Sequence, residues 1–188
     1  MFTGDSVTDC GRRTDPDGLG DGYVRMLATS LPEHTVLNSG ISGNRASDLA
    51  ARWQTDVAVS EPDVVTVLIG INDTWRRYDS DDPTTAVTFE ANYRKALESA
   101  VVPRLVLMEP FVLPVTEEQQ RWHYEDLDAK IAVVHKLARQ YGAVLVPTNL
   151  RLERAAVEHG AAALAEDGVH PTALGHELIA AVWREYVL

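Results

Sequence analysis

Short apolar runs alternate with longer stretches of helical periodicity along the whole chain. The clearest run, Val64-Val65-Thr66-Val67-Leu68-Ile69, is apolar on both faces, as a strand buried in a parallel sheet is expected to be. Further strands are predicted over 35–38, 104–108 and 143–146. Helices are predicted between and after these runs, over 22–30, 46–58, 86–100, 122–141, 149–159 and 172–186.

This alternation, with its short connections, predicts a parallel sheet with helices on both faces. We therefore expect a single α/β domain over residues 1–188, with a three-layer α/β/α, flavodoxin-like architecture and about five parallel strands. The first strand is short, because only Met1-Phe2-Thr3 precedes Gly4, whereas strands usually have about five or six residues. Either this strand is stunted or the natural start lies a few codons upstream.

Composition narrows the class of protein. Apolar residues make up 45% and charged residues 24% of the chain, which is typical of a globular protein with a buried core. No apolar run approaches the roughly eighteen residues of a membrane span, and no secretory signal is visible. The net charge of −11 opposes binding to nucleic acid. Cys10 is the only cysteine, which excludes an intrachain disulfide and favours a cytoplasmic location.

Candidate chemistry lies at the two ends of the chain. Gly4-Asp5-Ser6 stands near the beginning and Asp167-Gly168-Val169-His170 near the end. A serine hydroxyl is a weak nucleophile until a base takes its proton. A histidine can be that base when a carboxylate orients its ring. We therefore predict a catalytic triad of Ser6, His170 and Asp167, which requires the fold to bring the two ends together.

Loops rich in small residues follow three of the predicted strands. The carboxyl ends of parallel strands meet at one edge of a sheet, so these loops are expected to open on the same site. Ester hydrolysis needs hydrogen-bond donors for the oxyanion of the tetrahedral intermediate. The predicted donors are the backbone N–H groups of Ser6 and Gly43 and the side-chain amide of Asn72.

The residues around these motifs supply candidates for substrate binding. Trp75 and Tyr78 follow Asn72 closely and are predicted to form a pocket wall that favours a short acyl group. Asp5 is assigned to the same group, in a supporting role through hydrogen bonds across the site loops. Cys10 is interpreted as a small buried residue rather than a rival nucleophile.

No metal site or cofactor is predicted. Asp15, Asp17 and Asp21 resemble the start of a calcium loop, but Leu19 and Met26 stand where such a loop needs oxygen ligands. The histidines other than His170 are interpreted as surface or capping residues, with His176 kept as an accessory group near the site. These are His34, His123, His135, His159 and His176.

The chain resembles the SGNH, or GDSL, superfamily of serine hydrolases over essentially its whole length. The resemblance rests on four motifs: Gly4-Asp5-Ser6, the loop with Gly43, Gly70-Ile71-Asn72-Asp73 and Asp167-Gly168-Val169-His170. Ser6 matches the nucleophile, Gly43 and Asn72 the oxyanion residues, and Asp167 and His170 the remaining pair of the triad. A closer resemblance is to intracellular acetylxylan esterases. It rests on Gly4-Asp5-Ser6-Val7-Thr8-Asp9-Cys10, Gly40-Ile41-Ser42-Gly43-Asn44 and Ile69-Gly70-Ile71-Asn72-Asp73-Thr74-Trp75-Arg76. Glu166 departs from the pattern, because relatives often carry an aromatic residue there.

The resemblance implies a cofactor-independent serine esterase that removes acetyl groups from xylo-oligosaccharides or similar sugars. It leaves a homo-oligomer open. A second interpretation is a lysophospholipase or thioesterase acting on longer acyl chains, and a third is a carbohydrate-binding module that has lost catalysis. The Gly-x-Ser-x-Gly elbow of the α/β-hydrolases is absent, because the serine loop reads Gly4-Asp5-Ser6-Val7-Thr8.

Overall fold

Four parallel strands form the sheet in a computed structural model that describes residues 1–188. They are β1 (Phe2–Gly4), β2 (Val64–Leu68), β3 (Arg104–Met108) and β4 (Val144–Val146), and they lie side by side in that order. Pairing is continuous, with Thr66 opposite both Phe2 and Val106. Ten helices connect or flank the strands: α1 (Ser6–Asp9), α2 (Tyr23–Ser30), α3 (Ala46–Trp53), α4 (Ile71–Asp79), α5 (Ala86–Ser99), α6 (Glu117–Trp122), α7 (Asp128–Tyr141), α8 (Thr148–His159), α9 (Ala161–Leu164) and α10 (Ala173–Val187).

Each face of the sheet carries its own apolar layer. On one face, α2, α8 and α10 pack over a cluster that includes Phe2, Leu68 and Trp183. On the other face, α3, α5 and α7 cover Val65 and Val67. Successive side chains of a strand point to opposite faces, which is why β2 is apolar throughout. The predicted α/β class and three-layer arrangement are confirmed.

The predicted fifth strand at 35–38 is the main correction to the fold. Only Asn38 forms a bridge, to Phe2, on the outer side of β1. The side-chain amide of Asn38 donates to the carbonyls of Thr8 and Leu19, both at 2.7 Å. The Phe2 N–H donates to the carbonyl of Leu37 and the Ser39 N–H to the carbonyl of Phe2, both at 2.8 Å. Because β1 has only three residues, this segment gains one bridge and no ladder.

The predicted helices are present with shifted boundaries. Four helices were not predicted, namely α1, α4, α6 and α9. The expected helix 46–58 is α3 followed by a π-helical turn over Gln54–Ala58, and a second π-helical turn over His123–Leu127 precedes α7. Helix α4 was missed, because it has only nine residues and its three apolar side chains, Ile71, Trp75 and Tyr78, are separated by polar and charged residues. None of the helices is both long and apolar enough to cross a bilayer.

Candidate active site

The serine loop leaves β1 at the carboxyl edge of the sheet. Gly4 ends the strand with φ of +158°, and a Cβ there would lie 2.0 Å from the carbonyl oxygen of Leu68. Only glycine therefore fits at this crossing. The Asp5 carboxylate then accepts a hydrogen bond from the Val7 N–H at 3.1 Å and caps α1. These features place Ser6 as the first residue of a short helix at the sheet edge.

The two ends of the chain meet here. Ser6 Oγ lies 3.0 Å from His170 Nε2, although the two residues are 164 positions apart in sequence. His170 Nδ1 lies 2.6 Å from Asp167 Oδ2. The other carboxylate oxygen, Oδ1, accepts the backbone N–H groups of Val169 at 2.9 Å and of His170 at 2.7 Å. A serine, an imidazole and a carboxylate thus form one hydrogen-bonded row.

The loop that carries Asp167 and His170 is held by hydrogen bonds from Gln119 and Leu113. Gly168 has φ of +82°, and a Cβ there would meet the side chain of Gln119 at 2.6 Å. Gln119 donates through Nε2 to the carbonyl of Asp167 at 2.6 Å. The Leu113 N–H donates to the carbonyl of Gly168 at 2.7 Å. This anchoring leaves the imidazole little freedom to swing away from Ser6.

The protonation state of Asp167 determines which nitrogen of the neutral His170 ring carries the proton. Burial by itself raises the pKa of Asp167, but the hydrogen bonds from the His170 backbone and ring and from the Val169 N–H outweigh it and hold that pKa below its ordinary value. The carboxylate is therefore ionised at neutral pH and accepts a proton-bearing Nδ1. In a neutral ring this leaves the lone pair on Nε2, which faces Ser6 Oγ.

The two other loops bring their candidate donors to the same place. Gly43 has φ of +82°, and nothing lies within 4 Å of the position that a Cβ would take. Asn72 lies in the first turn of α4 and donates one amide hydrogen to the carbonyl of Asn44 at 3.0 Å. A primary amide has two hydrogens, so the second remains for a ligand. Together these groups border a cavity of about 400 Å³, lined by Ser6, Cys10, Ser42, Gly43, Asn72, Trp75, Arg76, His170, Pro171 and His176.

The two predicted wall residues have different places. Trp75 lines the cavity, with its ring 5.8 Å from that of His170. Tyr78 does not line it, because its ring stacks on Trp122 at 5.1 Å and its hydroxyl donates to Glu125 at 3.1 Å. Tyr78 packs behind the wall, and Trp122 lies 5.8 Å from Trp75 between the two; contact of Tyr78 with substrate stays a prediction.

Asp5 is also corrected as a substrate contact. Its side chain is 1% exposed and does not reach the cavity, because it is turned inward to cap α1. Burial raises the pKa of Asp5 to about 7, although the Val7 N–H opposes the shift. The residue supports the serine loop from below.

We expect this buried carboxyl to make stability depend on pH. Its pKa is higher in the folded chain than the ordinary 3.8, so the folded state binds a proton more readily, and stability falls as pH rises towards and through about 7. Asp5→Asn keeps the capping oxygen but cannot ionise. Urea unfolding at pH 5 and at pH 8 should show a drop in unfolding free energy about 2–3 kcal/mol smaller in the variant than in the unmodified chain. Asp17→Asn, at an exposed position, is the control, and an unchanged pH dependence in Asp5→Asn contradicts the expectation.

Two further residues line the cavity, Cys10 and His176, the second of which the sequence analysis kept as an accessory group near the site. His176 is buried, not at the surface, and its Nδ1 accepts the Tyr23 N–H at 3.2 Å. Burial lowers the pKa of His176 to about 4, so the ring is neutral and its Nε2–H faces Cys10 Sγ at 3.4 Å. Burial also raises the pKa of the Cys10 thiol, which keeps it protonated beside Ser6. No signal in the sequence pairs these two residues.

Comparison with known proteins identifies the family. A model of the GDSL-like Lipase/Acylhydrolase family matches residues 2–178. The chain belongs to that family. The resemblance drawn from the motifs is thereby confirmed, and this family member is a carboxylic ester hydrolase homologous to acetylxylan esterases.

The relatives of this GDSL hydrolase include acetylxylan esterases. An acetylxylan esterase from Geobacillus stearothermophilus is 36% identical over 197 residues, which cover 96% of this chain and 89% of that protein. The crystal structure of Axe2, an acetylxylan esterase from the same organism, matches with a TM-score of 0.89 at 35% identity, covering 100% of this chain and 93% of that one. Catalytic mutants of Axe2, in which an aspartate, a serine or a histidine becomes alanine, match with TM-scores of 0.88 to 0.89 at 34% identity.

Proposed function

We propose that this hydrolase removes acetyl groups from xylo-oligosaccharides or similar acetylated sugars through an acyl-enzyme on Ser6. The observation that carries the proposal is the row Ser6 Oγ, His170 Nε2, His170 Nδ1 and Asp167 Oδ2, with contacts of 3.0 and 2.6 Å. It opens on a cavity bordered by two further candidate donors, Gly43 and Asn72.

The chemistry follows from that geometry in two halves. Ser6 Oγ attacks the ester carbonyl while His170 takes its proton, and Asp167 stabilises the imidazolium that forms. The N–H groups of Ser6 and Gly43 and the amide of Asn72 bind the oxyanion. The C–O bond to the sugar breaks as His170 returns the proton to the leaving hydroxyl. Water then attacks the acyl group by the same route, releases acetate and restores Ser6.

The named relatives support both the reaction and the substrate class. In Axe2, catalytic mutants replace a serine, an aspartate and a histidine, and its aspartate precedes its histidine by three positions, as Asp167 precedes His170. One Axe2 structure is described as an acetyl-xylooligosaccharide esterase and has a replaced tryptophan directly before the catalytic aspartate. Glu166, which is exposed, holds the matching place here.

The size of the acyl group distinguishes the proposal from the lysophospholipase or thioesterase alternative. Trp75 and the neighbouring ring of His170 close one side of the cavity, which supports a short acyl group. The test is acetate release from acetylated xylo-oligosaccharides and other acetylated sugars, beside a series of p-nitrophenyl esters from acetyl to decanoyl. We expect kcat/KM to be highest for acetyl and to fall steadily with chain length. A maximum at octanoyl or longer contradicts the proposal and favours the alternative, and no hydrolysis of any ester favours a carbohydrate-binding module. Cytoplasmic location and assembly into a homo-oligomer stay predictions.

We expect Asn72→Ala to lower kcat for p-nitrophenyl acetate by about 100- to 1000-fold, the usual cost of losing one oxyanion donor. KM should change little, because the donor is aimed at charge that develops only in the transition state. The control is Asn92→Ala, at a half-buried position on α5. A loss in kcat below about threefold, with the fold intact by circular dichroism, contradicts the assignment of Asn72.

A further inference from the structure

We propose that Asp9 is a positioning residue for the oxyanion hole, holding the peptide that carries the Gly43 N–H in line with Ser6. The inference rests on the proposed function and adds a residue that acts on the reaction only through the loop it binds. Its basis is a pair of hydrogen bonds from one buried carboxylate to Ser42, the residue immediately before Gly43.

Asp9 belongs to the same short helix as the nucleophile. Helix α1 begins at Ser6 and ends at Asp9, so one turn separates the two side chains. The side chain of Asp9 is buried, with 2% of the residue exposed, whereas Ser42 and Gly43 lie on the surface above it. Any movement of α1 is thus passed directly to the loop that Asp9 holds.

The Asp9 carboxylate accepts two hydrogen bonds from Ser42. Asp9 Oδ2 accepts the backbone N–H of Ser42 at 2.9 Å and its hydroxyl at 2.8 Å. Fixing both the backbone N–H and the hydroxyl of Ser42 holds its Cα in place, and the next peptide begins at that Cα. The N–H of that peptide belongs to Gly43. Hydrogen bonds to an ionised carboxylate are shorter and about twice as strong as neutral ones.

Other contacts close this loop without binding the side chain of Ser42. The Asn44 N–H donates to the carbonyl of Ile41 at 3.1 Å, which makes a turn of the residues between them. The Ile41 N–H donates to the carbonyl of Gly4 at 3.0 Å. At the far end, Asn72 binds the carbonyl of Asn44, and Asp73 Oδ2 accepts the Ala46 N–H at 3.0 Å. Gly43 itself has a left-handed backbone and open space around it. Within that turn, Asp9 is the side chain that binds Ser42, next to the proposed donor.

A nearby arginine and the hydrogen bonds to Ser42 stabilise the Asp9 carboxylate in its buried position. Arg13 stands four residues further on, beyond the end of α1; its Nε lies 3.6 Å from Asp9 Oδ2 and its side chain is largely exposed. A buried carboxylate without partners would be costly, so its hydrogen bonds to Ser42 are needed by the fold as well as by the loop. A readout beyond stability is therefore required to separate positioning from simple structural support.

The experiment compares Asp9→Ala, Asp9→Asn and Ser42→Ala, with kcat and KM measured on p-nitrophenyl acetate and on its thionoester analogue. We expect Asp9→Ala to lower kcat on the oxygen ester by about 10- to 100-fold, somewhat less than outright loss of a donor. KM should stay within about threefold. Sulfur accepts hydrogen bonds weakly, so the loss on the thionoester should be several-fold smaller. Asp9→Asn, which keeps an oxygen for both bonds, should recover most of the rate.

Asp15→Ala is the matched control for Asp9→Ala. Asp15 is also a partly buried carboxylate that accepts two backbone N–H groups, from Leu19 and Gly20, but it does not border the cavity. It should lose stability without losing kcat. Equal losses on the two esters, or a rise in KM with unchanged kcat, overturn the proposal. If Asp9→Ala fails to fold, Ser42→Ala decides: a several-fold loss confined to the oxygen ester supports the proposal, and no difference between the esters overturns it.

The failure of this inference can be told from the failure of the proposed function. The unmodified chain and Ser6→Ala are assayed in the same series. If the unmodified chain is inactive on the acetyl ester, or Ser6→Ala matches it, the proposed function is wrong and the Asp9 proposal fails with it. If both behave as expected and Asp9→Ala keeps full kcat, the positioning role alone is refuted.

Discussion

Ser6→Ala is expected to lower kcat for acetyl-ester hydrolysis by at least about 10⁴-fold, because no acyl-enzyme can form without the hydroxyl. The residual rate would come from the oxyanion donors and from substrate binding alone. The melting temperature should change by less than about 2 °C, since the hydroxyl faces the cavity and its hydrogen bond to His170 is a single exposed contact.

The matched control is Ser47→Ala, at an exposed position in the first turn of α3. It should keep the kcat of the unmodified chain. Retention of more than about a tenth of the activity in Ser6→Ala, with circular dichroism unchanged, contradicts the assignment of the nucleophile.

We expect Asp167→Asn to lower kcat by about 10⁴-fold while leaving the loop folded. The reason lies in the two backbone N–H groups, of Val169 and His170, that donate to Asp167 Oδ1. In the variant the amide oxygen must stay on that side, because an NH₂ group there would face two donors. The NH₂ group then donates to His170 Nδ1, which places the ring proton on Nε2 and removes the lone pair that faces Ser6.

The neighbouring Glu166→Gln serves as the control, because it removes an exposed carboxylate next in sequence and leaves this row intact. Its kcat on p-nitrophenyl acetate should stay within about threefold of the unmodified chain. A loss below about tenfold in Asp167→Asn would show that the orientation of the imidazole is set by some other group.

Much of the architecture could be predicted from the periodicity of the apolar residues and the length of the apolar runs. The run at 64–69 is apolar on both faces because it lies between two helical layers, and that is visible in sequence. The strand at 35–38 was not correctly predicted, because local pattern does not reveal that Asn38 binds the carbonyls of Thr8 and Leu19. Helix α4 was missed because three apolar residues in nine, Ile71, Trp75 and Tyr78, are too short a repeat to identify a helix from sequence.

The motifs located the site because each follows a strand or precedes a helix at a fixed offset. Ser6, His170 and Asp167 are brought together as the sequence predicted. Residues that act through other residues left no such signal. The contact of Asp9 with Ser42 joins positions 33 apart, and the contact of Cys10 with His176 joins positions 166 apart. Only the folded chain shows these pairs.

Intact-mass spectrometry of the chain after inactivation with an organophosphate, followed by peptide mapping, tests the acyl-enzyme account most directly. We predict one covalent adduct per chain, carried by the peptide that contains Ser6, with activity lost in proportion to labelling. Pre-incubation with an acetyl ester should slow the labelling, and His170→Ala should nearly abolish it. Complete inactivation with Ser6 unmodified, or an adduct on Cys10 instead, would contradict the account.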